Sequence, residues 1–211
     1  IIGDESIIKI QGGQIQTGNY SIGAAAVGNS VLDITGGNIS VGENSIFNYI
    51  KKGAGTGISL TDTSGGTYDL NKNKQIGIFS EEGDVISNKT LEVRNGTDSI
   101  GVYAQNNSAV NMSVQGLTVN VESGQKGIFA KSVSGSGGKI TLANNVNLNG
   151  SSALGIIHQD CDLENNGIIN VSGEAAVGIL SSNSDNVNAN LLVNNSTINV
   201  NSDSGIGIYG T

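Results

Sequence analysis

Residues 75–79 read Gln75-Ile76-Gly77-Ile78-Phe79, and residues 99–103 read Ser99-Ile100-Gly101-Val102-Tyr103. The same grammar, apolar–glycine–apolar–large, returns as Gln125-Lys126-Gly127-Ile128-Phe129, Ala153-Leu154-Gly155-Ile156-Ile157 and Ala176-Val177-Gly178-Ile179-Leu180. It is also present in Ser21-Ile22-Gly23-Ala24-Ala25 and in 204–209, which ends on Tyr209. A degenerate copy, Ser45-Ile46-Phe47-Asn48-Tyr49, fills the gap between 21–25 and 75–79. The anchors are thus 23, 47, 77, 101, 127, 155, 178 and 207. Their intervals are 24, 30, 24, 26, 28, 23 and 29 residues, about 26 on average. A fixed period of this size marks a repeat architecture.

Working outward, an alternating apolar pair precedes each anchor, as in Leu91-Glu92-Val93, Val119-Asn120-Val121, Val146-Asn147-Leu148, Ile169-Asn170-Val171 and Ile198-Asn199-Val200. Period-two alternation reads as a strand with one buried face. A second apolar pair lies further upstream, for example Leu32/Ile34, Met112/Val114 and Ile140/Leu142. Between the pairs stand turn formers such as Gly36-Gly37, Gln115-Gly116 and Asn144-Asn145, which supply left-handed corners.

Each repeat therefore holds three short strands. Three such strands cannot bury an apolar face alone, and stacking repeat on repeat buries it. The sequence predicts an all-β fold, a right-handed parallel β-helix of about eight coils with three short strands per coil. At ~4.8 Å per coil this is a rod on the order of 38 Å long. Residues 1–211 form one repeat segment. Residues 51–74 are either an inserted loop or a divergent coil, and 132–139 and 182–190 are further corner insertions. A leucine-rich frame is missing, the repeat is too long for a left-handed trimeric head, and an antiparallel sandwich would not require one Gly-Ile-aromatic column.

Composition narrows the class. Gly 32, Asn 28 and Ser 25 make up about 40% of the 211 residues, while Pro and Trp are absent and aromatics are 4%. Without Pro the chain is not collagen. No apolar run approaches the ~18–20 residues of a membrane helix. Cys161 is the only cysteine, so there is no disulfide scaffold. The net charge of −8 is dispersed, which argues against nucleic acid and against docking on anionic lipid. The chain starts at Ile1 with no basic leader. Neither end shows a polar capping repeat, so the natural protein is expected to continue past both.

The string Asn165-Asn166-Gly167-Ile168-Ile169-Asn170-Val171-Ser172-Gly173-Glu174-Ala175-Ala176-Val177-Gly178-Ile179-Leu180, repeated in kind at 194–209 and 90–103, resembles the passenger domains of large bacterial autotransporters (type V secretion). It is most similar to the giant fusobacterial outer-membrane adhesins. The resemblance covers about 11–211 and weakens over 53–74. It implies export, translocation through a C-terminal outer-membrane barrel outside this sequence, and display on the bacterial cell surface. It implies a monomeric adhesin passenger, attached to a host cell-surface protein or glycan or to the surface of other bacteria.

Few residues carry chemistry. Enzymatic β-helices act on polysaccharides with clustered carboxylates and a basic residue. Arg94 is the sole arginine, with Glu92, Asn95 and Asp98 nearby in sequence, and reads as an exposed coil residue. His158 and Cys161 are the only His and Cys, a formal base–nucleophile pair that falls on a corner and reads as structural. They are too few for a zinc site, and no calcium motif is present. Lys51-Lys52 and Lys72-Asn73-Lys74 flank the divergent segment and read as solvated charge, with binding of an acidic glycan as the alternative. No enzyme activity, cofactor or metal is expected. The alternatives are a polysaccharide lyase or hydrolase, a spacer stalk and a trimeric fibre.

The candidate binding residues are Tyr49, Phe79, Tyr103, Phe129 and Tyr209, which share one column two residues past the anchor, with Ile157 and Leu180 between them. If the residues on both sides of the anchor point inward, alternation sends the rings outward, where they stack on sugars or a protein partner. If the strand bends after the anchor, the rings fill the core. Asn120, Asn147, Asn170 and Asn199 form a second column, expected outside as an amide ladder.

Overall fold

A computed structural model describes residues 2–52, 57–106, 110–132, 138–183 and 190–211. The predicted corner insertions at 132–139 and 182–190 lie largely outside the described residues, as do residues 53–56 of the divergent segment. The described residues contain twenty-one strands and no helix.

All strand pairings are parallel, and they build a β-solenoid. One sheet has nine strands, successive strands one turn apart, including Ile22–Gly28, Ile46–Lys52, Ile76–Glu81, Ile100–Asn106, Lys126–Ser132, Leu154–Gln159, Val177–Ser182 and Ile206–Gly210. The register runs Ile22, Ile46, Ile76, Ile100, Lys126, Leu154, Val177, Ile206. The anchor residues of the repeat thus stack directly on one another. The eight anchor strands bound about seven turns, one fewer than a coil for each anchor, with a repeat of about 26 residues.

The second sheet has twelve strands. Some turns contribute one ten-residue strand, such as Met112–Val121 or Lys139–Leu148. Others contribute two short ones, such as Asp84–Ser87 and Thr90–Val93. The turn formers decide where these strands bend. Gly116 is left-handed (φ 88°), and a Cβ there would stand 2.5 Å from the Ser87 carbonyl oxygen of the preceding turn. Both the dihedral and the close approach require glycine.

One continuous core fills the interior. Ile78, Val102 and Ile128 enter it from the first sheet, and Leu91, Val119, Leu142 and Val171 from the second, all fully buried. Within the divergent segment, Ile58–Asp62 pairs with Val31–Ser40 and Thr67–Leu70 pairs with Thr90–Val93.

The asparagine column is an amide ladder on the outside. Asn147 donates to Asn120 Oδ1 (2.8 Å), Asn170 to Asn147 Oδ1 (2.8 Å) and Asn199 to Asn170 Oδ1 (2.9 Å). Asn120 continues the row by donating to Glu92 (2.7 Å). Alternation puts these amides on the surface, and the turn spacing puts each within reach of the next. Asn170→Ala removes one donor and one acceptor from the middle of the row. It is expected to cost about 1 kcal/mol in urea unfolding, with Asn170→Asp at least as costly because a carboxylate cannot donate.

Candidate functional site

The chain bends at its anchor glycine. Ile76, Ile100 and Lys126 lie partly exposed on the outer face, whereas Ile78, Val102 and Ile128 are fully buried. A Cβ on Gly77 would point inward, 3.3 Å from the Leu91 side chain. Glycine and the residue after it therefore both face the core, and strict alternation slips by one. This corrects the premise that the residues before and after the anchor share the interior. The residue two past the anchor returns to the outer face.

Glycine is needed for contact rather than dihedral. A Cβ on Gly127 would meet the Gly155 carbonyl oxygen at 2.6 Å, one on Gly155 would meet that of Gly178 at 2.4 Å, and one on Gly178 would meet that of Gly207 at 2.5 Å. Each turn seats on the bare backbone of the next.

Four candidate residues form one ladder. Tyr49, Phe79, Tyr103 and Phe129 are in register and half-buried on the outside of the nine-stranded sheet. Their ring centres are 5.3, 4.8 and 5.0 Å apart, with edge-to-face tilts of 66°, 66° and 82°. Turn spacing alone brings the rings into this favourable geometry. Beyond Phe129 the column passes through Ile157 and Leu180 to Tyr209, which is 50% exposed and separate from the four stacked rings. Ile76, Ile100, Lys126, Leu154 and Val177 run beside the ladder as a second row, aliphatic except at Lys126. The face is therefore largely apolar, with one cation in its second row.

Its margin is polar. Lys51 pairs with Glu81 (3.2 Å), and Tyr49 donates to the same carboxylate (3.4 Å). Burial, then the Glu81 charge, raises the Tyr49 phenol, and burial raises that of Tyr103, so both keep their protons near neutrality.

The other candidates are placed apart from this face. Arg94 makes a bidentate pair with Asp69 (2.9 and 3.0 Å). Glu92 accepts from Asn120, and Asp98 from Lys126 (3.3 Å). The acids adjacent to Arg94 in sequence are thus each engaged by a different partner. Lys52 donates to the Gly57 carbonyl (3.0 Å) and Lys72 to that of Val41 (3.2 Å). Among the described residues no three His, Cys, Asp or Glu side chains group to hold a metal.

His158 and Cys161 are both buried. His158 Nδ1 lies 2.9 Å from Ser181 Oγ, and its Nε2 meets the Cys161 carbonyl, not the thiol. The thiol is turned toward the Ala130 carbonyl (3.6 Å), and burial raises its pKa to about 12. Burial lowers the His158 pKa. A base that is harder to protonate folded than unfolded stabilises the fold above the unfolded value of about 6.5 and loses that contribution as pH falls below it. Unfolding free energy is expected to decline from pH ~7 to ~5. The part of that decline due to the ring disappears in His158→Gln.

Sequence reasoning missed a buried polar group in the divergent turn. Asn48 donates to Tyr68 Oη (3.1 Å), which donates to Asp62 (2.8 Å), which also accepts from Ser64 Oγ (2.6 Å). The Lys89 ammonium stands 4.7 Å from the centre of the Tyr68 ring and donates to the Gly65 carbonyl. Burial, then the Asp62 charge, holds the Tyr68 phenol far above its ordinary range. The signal was the degenerate copy itself: Phe47 and Asn48 stand where other turns have glycine and an aliphatic residue. No protein-family model matches the chain, and no curated protein and no solved structure matches it.

Proposed function

We propose that this chain is a section of the surface-displayed passenger of a bacterial autotransporter adhesin, wound as a right-handed helix with three strands per coil. It works by extension and display, and not by catalysis. The stacked turns hold this largely apolar face away from the membrane, and many weak contacts along it add by multivalency. Its partners are a host cell-surface protein or glycan, or the surface of another bacterium. Membrane attachment comes through a C-terminal barrel outside this sequence.

The observation that carries the reading is the half-exposed ladder Tyr49–Phe79–Tyr103–Phe129 with its largely aliphatic second row. A largely apolar outer face carrying stacked rings, with a polar margin, is the composition of an interaction surface. A mere spacer gains nothing from exposing it. The repeat grammar that resembles autotransporter passengers supplies the setting. Turn-by-turn stacking also suits a chain that folds as it emerges from a pore.

The test is binding of the purified, fluorescently labelled chain to host epithelial cells and to other bacteria, against a polar β-solenoid of equal length. Saturable binding above the control supports the reading. Binding equal to the control makes the segment a spacer.

A further inference from the structure

The turn that carries Phe47 is split on its outer side. The strand Val31–Ser40 pairs through Leu32, Asp33 and Ile34 with Ile58–Asp62, but its second half, 38–40, pairs only with 14–16 of the turn before. Thr67–Leu70 pairs with Thr90–Val93 and, among the described residues, with no strand on its other side. The ladder between 38–41 and 67–70 is missing.

A replaced hydrogen bond confirms the gap. In later turns the carbonyl that ends this strand accepts a backbone amide of the next turn: Leu70 from Arg94, Val93 from Glu122, Leu148 from Ser172 and Val171 from Asn201, at 2.8 to 3.0 Å. The corresponding Val41 carbonyl accepts instead from the side chains of Lys72 (3.2 Å) and Gln75 (3.1 Å). Long side chains bridge what the backbone no longer reaches.

The cause is bulk. Tyr68 occupies the core column that continues as Leu91, Val119, Val146 and Ile169. Phe47 occupies an anchor where its neighbours in the column are Gly23 and Gly77. Their rings pack at 5.0 Å. Extra ring volume in a close-packed interior moves the backbone, and here it parts two strands.

The opening is a cleft of about 280 Å³. Asn38, Ser40, Thr67, Asp69, Asn71 and Lys72 line its mouth, with Ile39, Val41 and Phe47 beneath. Backbone hydrogen bonds close both ends, Thr63 N to Ile34 O (2.9 Å) and Asn44 N to Asn73 O (3.0 Å).

We propose that this cleft binds one neutral hexose unit of a glycan. The closed ends exclude an extended chain lying along the strands and favour a compact ligand. The volume is near the lower limit for small-molecule sites, about 300 Å³. The rim alternates carboxylate, amide and hydroxyl groups, and the parted strand edges add peptide groups without ladder partners. Such mixed donors and acceptors match vicinal hydroxyls. The apolar floor matches the C–H face of a sugar ring. Asp69 is charge-paired with Arg94, so no free carboxylate faces the opening, and the Lys72 ammonium is directed to the Val41 carbonyl, where it closes the strand gap. The proposal rests on the attachment reading only for the source of the glycan.

The experiment is titration of the ¹⁵N-labelled chain with the methyl glycosides of glucose, galactose and mannose, read by amide chemical shifts. Saturable millimolar shifts confined to 38–41 and 67–72 are expected, with one epimer preferred by about tenfold or more. Asn38→Tyr and, separately, Ser40→Tyr place a ring in the mouth from exposed positions. Each is expected to abolish the shifts while the rest of the spectrum is unchanged. No saturable shift with any glycoside overturns the proposal, and so do shifts that survive both variants. Shifts produced only by an extended peptide overturn it as well. If cell attachment persists with no sugar binding, this site falls and the attachment reading stands. If sugar binds while cell attachment is absent, this site stands and that reading falls.

Discussion

Gly155→Ala is expected to destabilise the solenoid by about 3 kcal/mol, the upper part of the range for forcing an extra methyl into a packed interior. The added carbon would stand 2.4 Å from the Gly178 carbonyl oxygen and 3.3 Å from a Leu148 methyl. The first of these is backbone, so relief requires the next turn to move. That turn is held in register from Leu154/Val177 to Gln159/Ser182, and movement strains five paired positions at once. The same substitution at Gly207 supplies the control. There the nearest atoms are side-chain methyls at 3.6 and 3.8 Å, an ordinary contact. Gly207→Ala is expected to change stability by less than about 1 kcal/mol. Urea unfolding of the two variants checks the difference, and equal losses would contradict the stacking account.

The second large effect concerns the outer face. Replacing Phe79, Tyr103 and Phe129 together by serine is expected to weaken attachment by about 10- to 100-fold, as loss of central aromatic contacts does at other interfaces. The rings are half-exposed, so the fold should survive. Each lost ring removes a stacking pair worth about 1 kcal/mol beyond its buried area, while the core residues Ile78, Val102 and Ile128 remain. Retained β-sheet circular dichroism with lost attachment would place recognition on the ladder. Unchanged attachment would remove the ladder from the mechanism.

The repeat was legible because stacking forces one residue type into one column. Gly77, Gly101, Gly127 and Gly155 recur since a Cβ at any of them meets backbone of the next turn, and the outer asparagines recur since each amide satisfies the next. The direction of the aromatic column was not legible. It depends on the bend at glycine, where two successive residues face inward, and a period-two reading has no term for that slip. The polar interior and the cleft were visible only as an irregularity. The copy at 45–49 broke the motif and the next interval lengthened to 30 residues. What those changes do depends on Phe47 meeting Tyr68 across the core, a contact between residues 21 positions apart that no local pattern reports. His158 and Cys161 show the converse. Three positions apart in sequence and chemically suggestive, they face different carbonyls in the fold.

The most direct measurement is gain of function. The chain would be fused to an outer-membrane barrel on a non-adherent bacterium, and attachment to epithelial cells and to other bacteria counted under flow. A polar β-solenoid of equal length and the triple-serine variant would be displayed at matched density. The account predicts attachment by the native sequence alone, blocked by excess soluble chain. Attachment equal to that of the polar solenoid would contradict it.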